Sequence, residues 1–197
     1  MRRWHAVTGV VPLAAYLMFH LWEHWPILRG AAALRARLDR TAGTSGAAVL
    51  ELLFVVLPLI LHGVLGWRLR HERDEVRAYA SVQLRRLQLY SGLFLGLFLL
   101  WHLAIAWLPR WWGPVEPARE FQAMVDVLGS FPSAVFFVLG LSATCLHLAQ
   151  GLPAAAAHLA PGWSAQRLRP VGIVVGAGWW LASMNVLGGY VAGAGLF

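Results

Sequence analysis

Five times along this chain a run of about twenty apolar residues occurs, near residues 6–25, 48–69, 86–108, 133–157 and 171–195. A helix needs ~20 such residues to cross the hydrocarbon core of a bilayer. Each run therefore reads as a membrane-spanning helix, because inside lipid a helix satisfies all of its own backbone groups. The expected architecture is an all-α integral membrane protein, five transmembrane helices in a single domain over residues 1–197. Composition excludes the ordinary alternative. With 59% hydrophobic residues, 13% charged residues and a mean hydropathy of +0.61, this is not a soluble globular domain.

The net charge of +7 does not point to nucleic acid. Every basic residue is arginine, and most lie between the apolar runs, where they suit bilayer flanks better than a phosphate-binding surface. Trp4, Trp22, Trp25, Trp107, Trp111 and Trp112 sit near the ends of runs, as an interfacial aromatic belt requires. The single cysteine, Cys145, excludes an internal disulfide and a Cys-ligated metal site. Met1-Arg2-Arg3-Trp4-His5 resembles the start of a signal peptide, but no small-residue cleavage site follows, so the first run reads as a retained helix. Arginines set the orientation. With the N-terminus inside, the inner side holds Arg2, Arg3, six of the second loop (Arg68, Arg70, Arg73, Arg77, Arg85, Arg86), Arg167 and Arg169. The outer side holds Arg29, Arg35, Arg37, Arg40, Arg110 and Arg119. Ten against six favours N-in. The first loop, Arg29 to Ser45, accommodates a short surface helix, and the third, Arg110 to Gly129, carries Glu116, Glu120 and Asp126.

Four of the eight histidines lie well inside the runs, one per helix: His20, His62, His102 and His147. A titratable side chain in a bilayer is costly and marks function by default, as a ligand or a proton relay. Depth follows from a rise of ~1.5 Å per residue. His62 and His147 come about fourteen residues after the outer start of their helices, hence towards the inner side. His20 and His102 come about fifteen residues after the inner start of theirs, hence towards the outer side. Local sequence sorts them alike. Phe19-His20-Leu21 parallels Trp101-His102-Leu103, and His62 with Gly66 parallels His147 with Gly151. Gly140, Ala143 and Thr144 share the face of His147, a stripe that makes room for a flat ligand or for close helix packing.

Two pairs of imidazoles at two depths suit two bis-histidine haems, stacked across the membrane as an electron path. Zinc or copper wants three or four ligands converging on one point. His24, one turn beyond His20, lies almost at the boundary before Pro26, so His20 is the preferred ligand. His5, beside Arg2 and Arg3 at the inner interface, suits haem propionates or quinone. His71 and His158 receive no role. Glu51 lies eleven positions before His62, close to the depth of His20, and is a candidate quinone proton group; the alternative is an interfacial pair with a first-loop arginine.

Two stretches, Arg2-Arg3-Trp4-His5-x-x-x-Gly9-x-x-Pro12 leading to His20-Leu21, and Leu57-Pro58-Leu59-x-x-His62-Gly63-x-x-Gly66, resemble the membrane-anchor cytochrome b subunit of succinate dehydrogenase (succinate:quinone oxidoreductase). The resemblance is to the five-helix, two-haem class carried on a single polypeptide. It continues through Gln88-x-x-Ser91-Gly92 to Trp101-His102, and through Gly140-Leu141-Ser142 to His147-x-x-x-Gly151. It implies two b haems, the inner on His62 and His147 and the outer on His20 and His102. It implies a flavoprotein subunit with FAD and an iron-sulfur subunit on the cytoplasmic face of a bacterial inner membrane, and a quinone, menaquinone in this class. Succinate oxidation would then occur on a partner. The chain departs from the family where an asparagine is expected near His24, where an arginine is expected at Leu89, and in the absence of Asp or Glu from Val171 to Phe197, which argues against a proton path there. Competing readings are the cytochrome b anchor of a formate dehydrogenase or hydrogenase, and a haem-free proton-coupled transporter.

Overall fold

A computed structural model describes residues 1–41, 47–70, 79, 81–106, 108, 117–160 and 162–192, and they are helical apart from short connections. Helix α1 runs through Arg2–Arg29, α2 through Ala31–Thr41, and α3 through Ala47–Glu51, Leu52–Val56 and Leu57–Leu69. Helix α4 is Val82–Ala106, α5 Pro117–Gly129, α6 Phe131–Leu159 and α7 Ala165–Ala192. Among the described residues five helices are long and apolar enough to cross a membrane: Arg2–Arg29, Val49–Leu69, Val82–Ala106, Phe131–Leu159 and Ala165–Val191. Each expected run falls on one of them. The helices α1, α4 and α7 begin several residues earlier than the apolar runs, because backbone hydrogen bonding continues past the edge of the apolar band. His71, Arg73, Arg77, Trp107, Arg110, Trp111, Trp112, Glu116 and the side chain of Glu120 lie outside the described residues.

Two of the spans are not uniform α-helix. Gly9–Ala14 in α1, which contains Pro12, and Leu52–Val56 in α3, just before Pro58, form π-type turns. Proline has no N–H to give the carbonyl four residues back, and its ring crowds that carbonyl. A wider turn accommodates it and takes up one more residue than a regular turn. Gly30 (φ 103°) ends α1 and Gly162 (φ 91°) precedes α7, two left-handed positions that glycine takes without steric cost.

Helix α6 is the centre of the bundle, packed against α7, α4, α5 and the start of α1, whereas α3 packs chiefly on α1. Small residues set the α6–α7 spacing. A Cβ on Gly176 would stand 2.8 Å from the Cys145 carbonyl oxygen, and one on Gly172 would collide with the Ala149 carbonyl oxygen. Such close approach is how helices gain contact in lipid, where burial of apolar surface supplies no drive. At one end of the bundle, α2, α5 and the last turn of α1 form a cap. There Ile27, Leu34, Phe121 and Val186 are buried together, with Leu21, Leu38, Val125 and Tyr190 around them. Arg35 lies over the Phe121 ring at 4.7 Å and Arg37 over Trp22 at 3.9 Å, so two first-loop arginines are engaged with cap aromatics.

The spans also repeat. The pair α1–α3 resembles the pair α4–α6 position by position. In the first, Gly9 meets the His62 ring and Gly66 meets His5; in the second, Gly92 meets the His147 ring and Gly151 meets Gln88. His5 and Gln88 each stand four residues before their glycine, and Gly66 and Gly151 four after their histidine. His20 follows Gly9 by eleven residues and His102 follows Gly92 by ten. The π-type turn in α1 absorbs the difference.

Candidate haem site

The inner histidines come together across the two halves. The rings of His62 on α3 and His147 on α6 have centroids 6.2 Å apart at an interplanar angle of 80°. The outer ones do likewise: His20 on α1 and His102 on α4 lie 6.0 Å apart at 76°. Three helices give the same spacing between the pairs. Gly9 to His20, Gly92 to His102, and Phe137 to His147 are ten or eleven residues, or ~15 Å along the axis.

Glycine permits each inner ring its place. A Cβ on Gly9 would lie 2.7 Å from His62 Cε1, and one on Gly92 would lie 2.9 Å from His147 Cε1. His62 is fixed further by His5, whose ring stacks on it at 4.0 Å and 18°. The two residues exchange hydrogen bonds: His62 Nδ1 donates to the His5 carbonyl (3.0 Å), and His5 Nδ1 to the His62 carbonyl (3.2 Å). The proton of His62 is thus on Nδ1, and Nε2 keeps a lone pair, the state a metal-binding imidazole needs. The Gln88 amide nitrogen stands 3.3 Å from His147 Nε2 and donates to it, so at this ring the neighbour meets the nitrogen a metal would take rather than the one behind it.

The outer pair has an aromatic wall. Tyr16 stacks on His20 (5.7 Å, 19°) and Phe98 on His102 (5.7 Å, 14°), each from four residues earlier on the same helix. Phe137 meets His102 edge-on at 5.7 Å, and Trp101, Phe136 and Phe98 close the layer around it. His24 packs edge-on to His20 at 4.6 Å, and its Nδ1 lies 2.6 Å from the Tyr190 hydroxyl on α7.

These distances can be compared with what a bis-histidine iron requires. Metal–nitrogen bonds of about 2.0 Å in line through the metal put the two ring centroids roughly 6.3 Å apart. Both observed separations agree with that to a few tenths of an ångström. His102 Nδ1 and His147 Nδ1 are buried with no hydrogen-bond partner, a condition that costs about 1–3 kcal/mol per group. Among the described residues no group of three or more His, Cys, Asp and Glu side chains is arranged to hold a metal ion. The residues present fit haem.

Sequence reasoning placed His5 at the interface with Arg2 and Arg3; the structure puts its ring on His62, and Arg3 is exposed. The space cleared by Gly66 is filled by His5, with a Cβ on that glycine only 3.0 Å from His5 Cε1. At Gly140 the small-residue stripe receives the Phe98 ring, the packing alternative. Glu51 is partly buried and ends the segment before the π-type turn. Eleven residues back from His62 through that wider turn correspond in register to ten back from His147, which reach Phe137 beside His102. The sequence reading missed Gln88 and Tyr190 as partners of His147 and His24. The parallel of Gln88-x-x-x-Gly92 with His5-x-x-x-Gly9 was a usable signal for the first.

The chain matches no protein-family model and no solved structure. It is similar to the succinate dehydrogenase cytochrome b558 subunit of Bacillus subtilis (strain 168), 27% identical over 146 residues, which are 73% of this chain and 71% of that protein.

Proposed function

We propose that this chain is a di-haem cytochrome b that anchors a succinate:quinone oxidoreductase and carries electrons between its iron-sulfur subunit and quinone. The observation that carries the reading is the pair of histidine pairs, 6.2 and 6.0 Å between centroids, each drawn from both halves of a five-span bundle. The distant likeness to a succinate dehydrogenase cytochrome b supports the choice of complex.

His62 and His147 hold the inner haem, and His20 and His102 the outer. A haem held by two imidazoles would supply one-electron transfer rather than oxygen binding, since no position on the iron would stay open. His5 orients the His62 ring through the reciprocal hydrogen bonds and so keeps Nε2 directed to the metal. Gln88, 3.3 Å from His147 Nε2, would give up that contact for the nitrogen to bind iron. Phe98, Trp101, Phe136 and Phe137 keep water from the outer site. On this reading Arg2 and Arg3 meet propionates or quinone at the inner boundary. The N-terminus lies on the cytoplasmic side of a bacterial membrane, where the arginine-rich loops receive the flavoprotein and iron-sulfur subunits. Menaquinone is the quinone, and Glu51, at the depth of the outer pair, exchanges its protons.

The test is a reduced-minus-oxidised visible spectrum of the purified chain, with haem measured against protein. Two b haems per chain are expected, falling to one or fewer in His62→Ala and in His102→Ala. Protein made with adequate haem supply that binds none refutes the reading. Co-purification of a flavoprotein with succinate-dependent haem reduction tests the identity of the complex.

A further inference from the structure

Helix α1 offers two imidazoles one turn apart, and both are near the outer site. The His20 and His24 rings are 4.6 Å apart, and the His20 ring faces His102 at 6.0 Å. The repeat breaks at this point: four residues after His102 the second half has Ala106, so the additional imidazole belongs to one half alone. Two nitrogen ligands within a turn compete for one axial position unless one is withheld.

Helix α7 supplies the means. The Tyr190 hydroxyl and His24 Nδ1 share a short hydrogen bond of 2.6 Å. Whichever of the two donates, the bond ties the His24 ring to α7 through Nδ1. Tyr190 is itself held firmly, stacked on Phe121 at 5.7 Å and 26° and packed against the buried cap residues Ile27, Leu34 and Val186. His20 is flanked by the stacked ring of Tyr16.

We propose that Tyr190 selects the axial ligand of the outer site, engaging His24 through its Nδ1 so that His20 is the imidazole that faces His102. Tyr190 is a positioning residue, acting through His24. The proposal rests on the reading that His20 and His102 hold haem. It also gives the acid-free fifth helix a part in the site.

The test compares the intact complex containing wild type, Tyr190→Phe, His24→Leu and the double variant, reading haem per chain, the low-spin electron paramagnetic resonance signals and the outer-haem midpoint potential. Loss of one ordinary hydrogen bond shifts the competition by about five- to ten-fold. Tyr190→Phe is therefore expected to show a second low-spin outer species with its own potential, the inner haem unchanged. His24→Leu and the double variant are expected to show one species each, because the competitor is gone, and this non-additivity is the signature of an effect passing through His24. An outer haem unaltered in Tyr190→Phe overturns the proposal, as does an alteration that persists in the double variant, which would mark general packing. If His24→Leu does not fold, His24→Gln removes the imidazole in the same position. A wild-type chain without an outer haem overturns this proposal together with the functional reading, whereas a normal haem content with no response to Tyr190→Phe overturns this proposal alone.

Discussion

Replacing Gly9 by alanine separates the stability of the fold from the geometry of the inner site. The added Cβ would stand 2.7 Å from His62 Cε1 and 3.1 Å from Nδ1, where ordinary contact begins at 3.4 Å. The ring must retreat by about 0.7 Å, and it is held on the other side by the stacked His5 ring and the 3.0 Å bond to the His5 carbonyl. For the fold the effects oppose one another. Overpacking costs about 1–3 kcal/mol, while alanine gains about 1 kcal/mol over glycine in a helix. The net change in stability is therefore small, within about 2 kcal/mol. For the site nothing offsets the displacement, because metal–ligand distances tolerate only about 0.2 Å. Gly9→Ala is expected to assemble in the membrane, keep the outer haem, and lose most of the inner one. Gly63→Ala is the matched control, since a Cβ there meets nothing within 4 Å; it is expected to keep both. The assay is haem per chain with redox titration to distinguish the two centres. A Gly9→Ala protein with two haems and an unchanged inner potential would refute the argument that the glycine exists to seat His62.

Gly176→Val places its first carbon 2.8 Å from the backbone oxygen of Cys145, which cannot swing aside, and is expected to cost about 1–3 kcal/mol, read as a lowered Tm in detergent. Phe121→Ala empties the centre of the cap and is expected to cost about 3–5 kcal/mol, also read as a lowered Tm, with the outer haem disturbed more than the inner because Tyr190 loses its stacking partner. Glu51→Gln is expected to slow quinone-linked turnover at least tenfold with both haems retained, since proton transfer by a positioned group contributes ~10²–10⁴-fold; unchanged turnover would remove Glu51 from the mechanism.

The five spans were legible because the thickness of a bilayer imposes a length, and apolar runs of that length have few other uses. Depth was legible for a similar reason: a fixed rise per residue lets positions on different helices be compared by counting. Counting fails where the helix is not regular. The π-type turns beside Pro12 and Pro58 each take an extra residue, so the face on which Glu51 lies relative to His62 could not be read from a 3.6-residue period. Helix α5 is short and lies in a loop marked by its charges, although Phe121, Val125 and Leu128 recur at helical spacing. The stacking of His5 on His62 and the bond between His24 and Tyr190 depend on how α1 sits against α3 and α7. That register arises from contacts 57 and 166 residues apart in sequence, and no local pattern encodes it.

The repeat of α1–α3 in α4–α6 has a consequence for how small such a protein can be. Each histidine pair draws one ring from each half, His62 with His147 and His20 with His102, so the axis relating the halves passes between partners at both depths. A two-span hairpin associating with an identical copy about a two-fold axis would bring equivalent histidines face to face at both levels, because an isologous contact pairs a residue with its own image when that residue lies on the axis. Joining the copies in one chain frees them to diverge. The exchange of His5 for Gln88, of Tyr16 for Phe98 and of His24 for Ala106 is what a homodimer could never have: two sides of one site that differ.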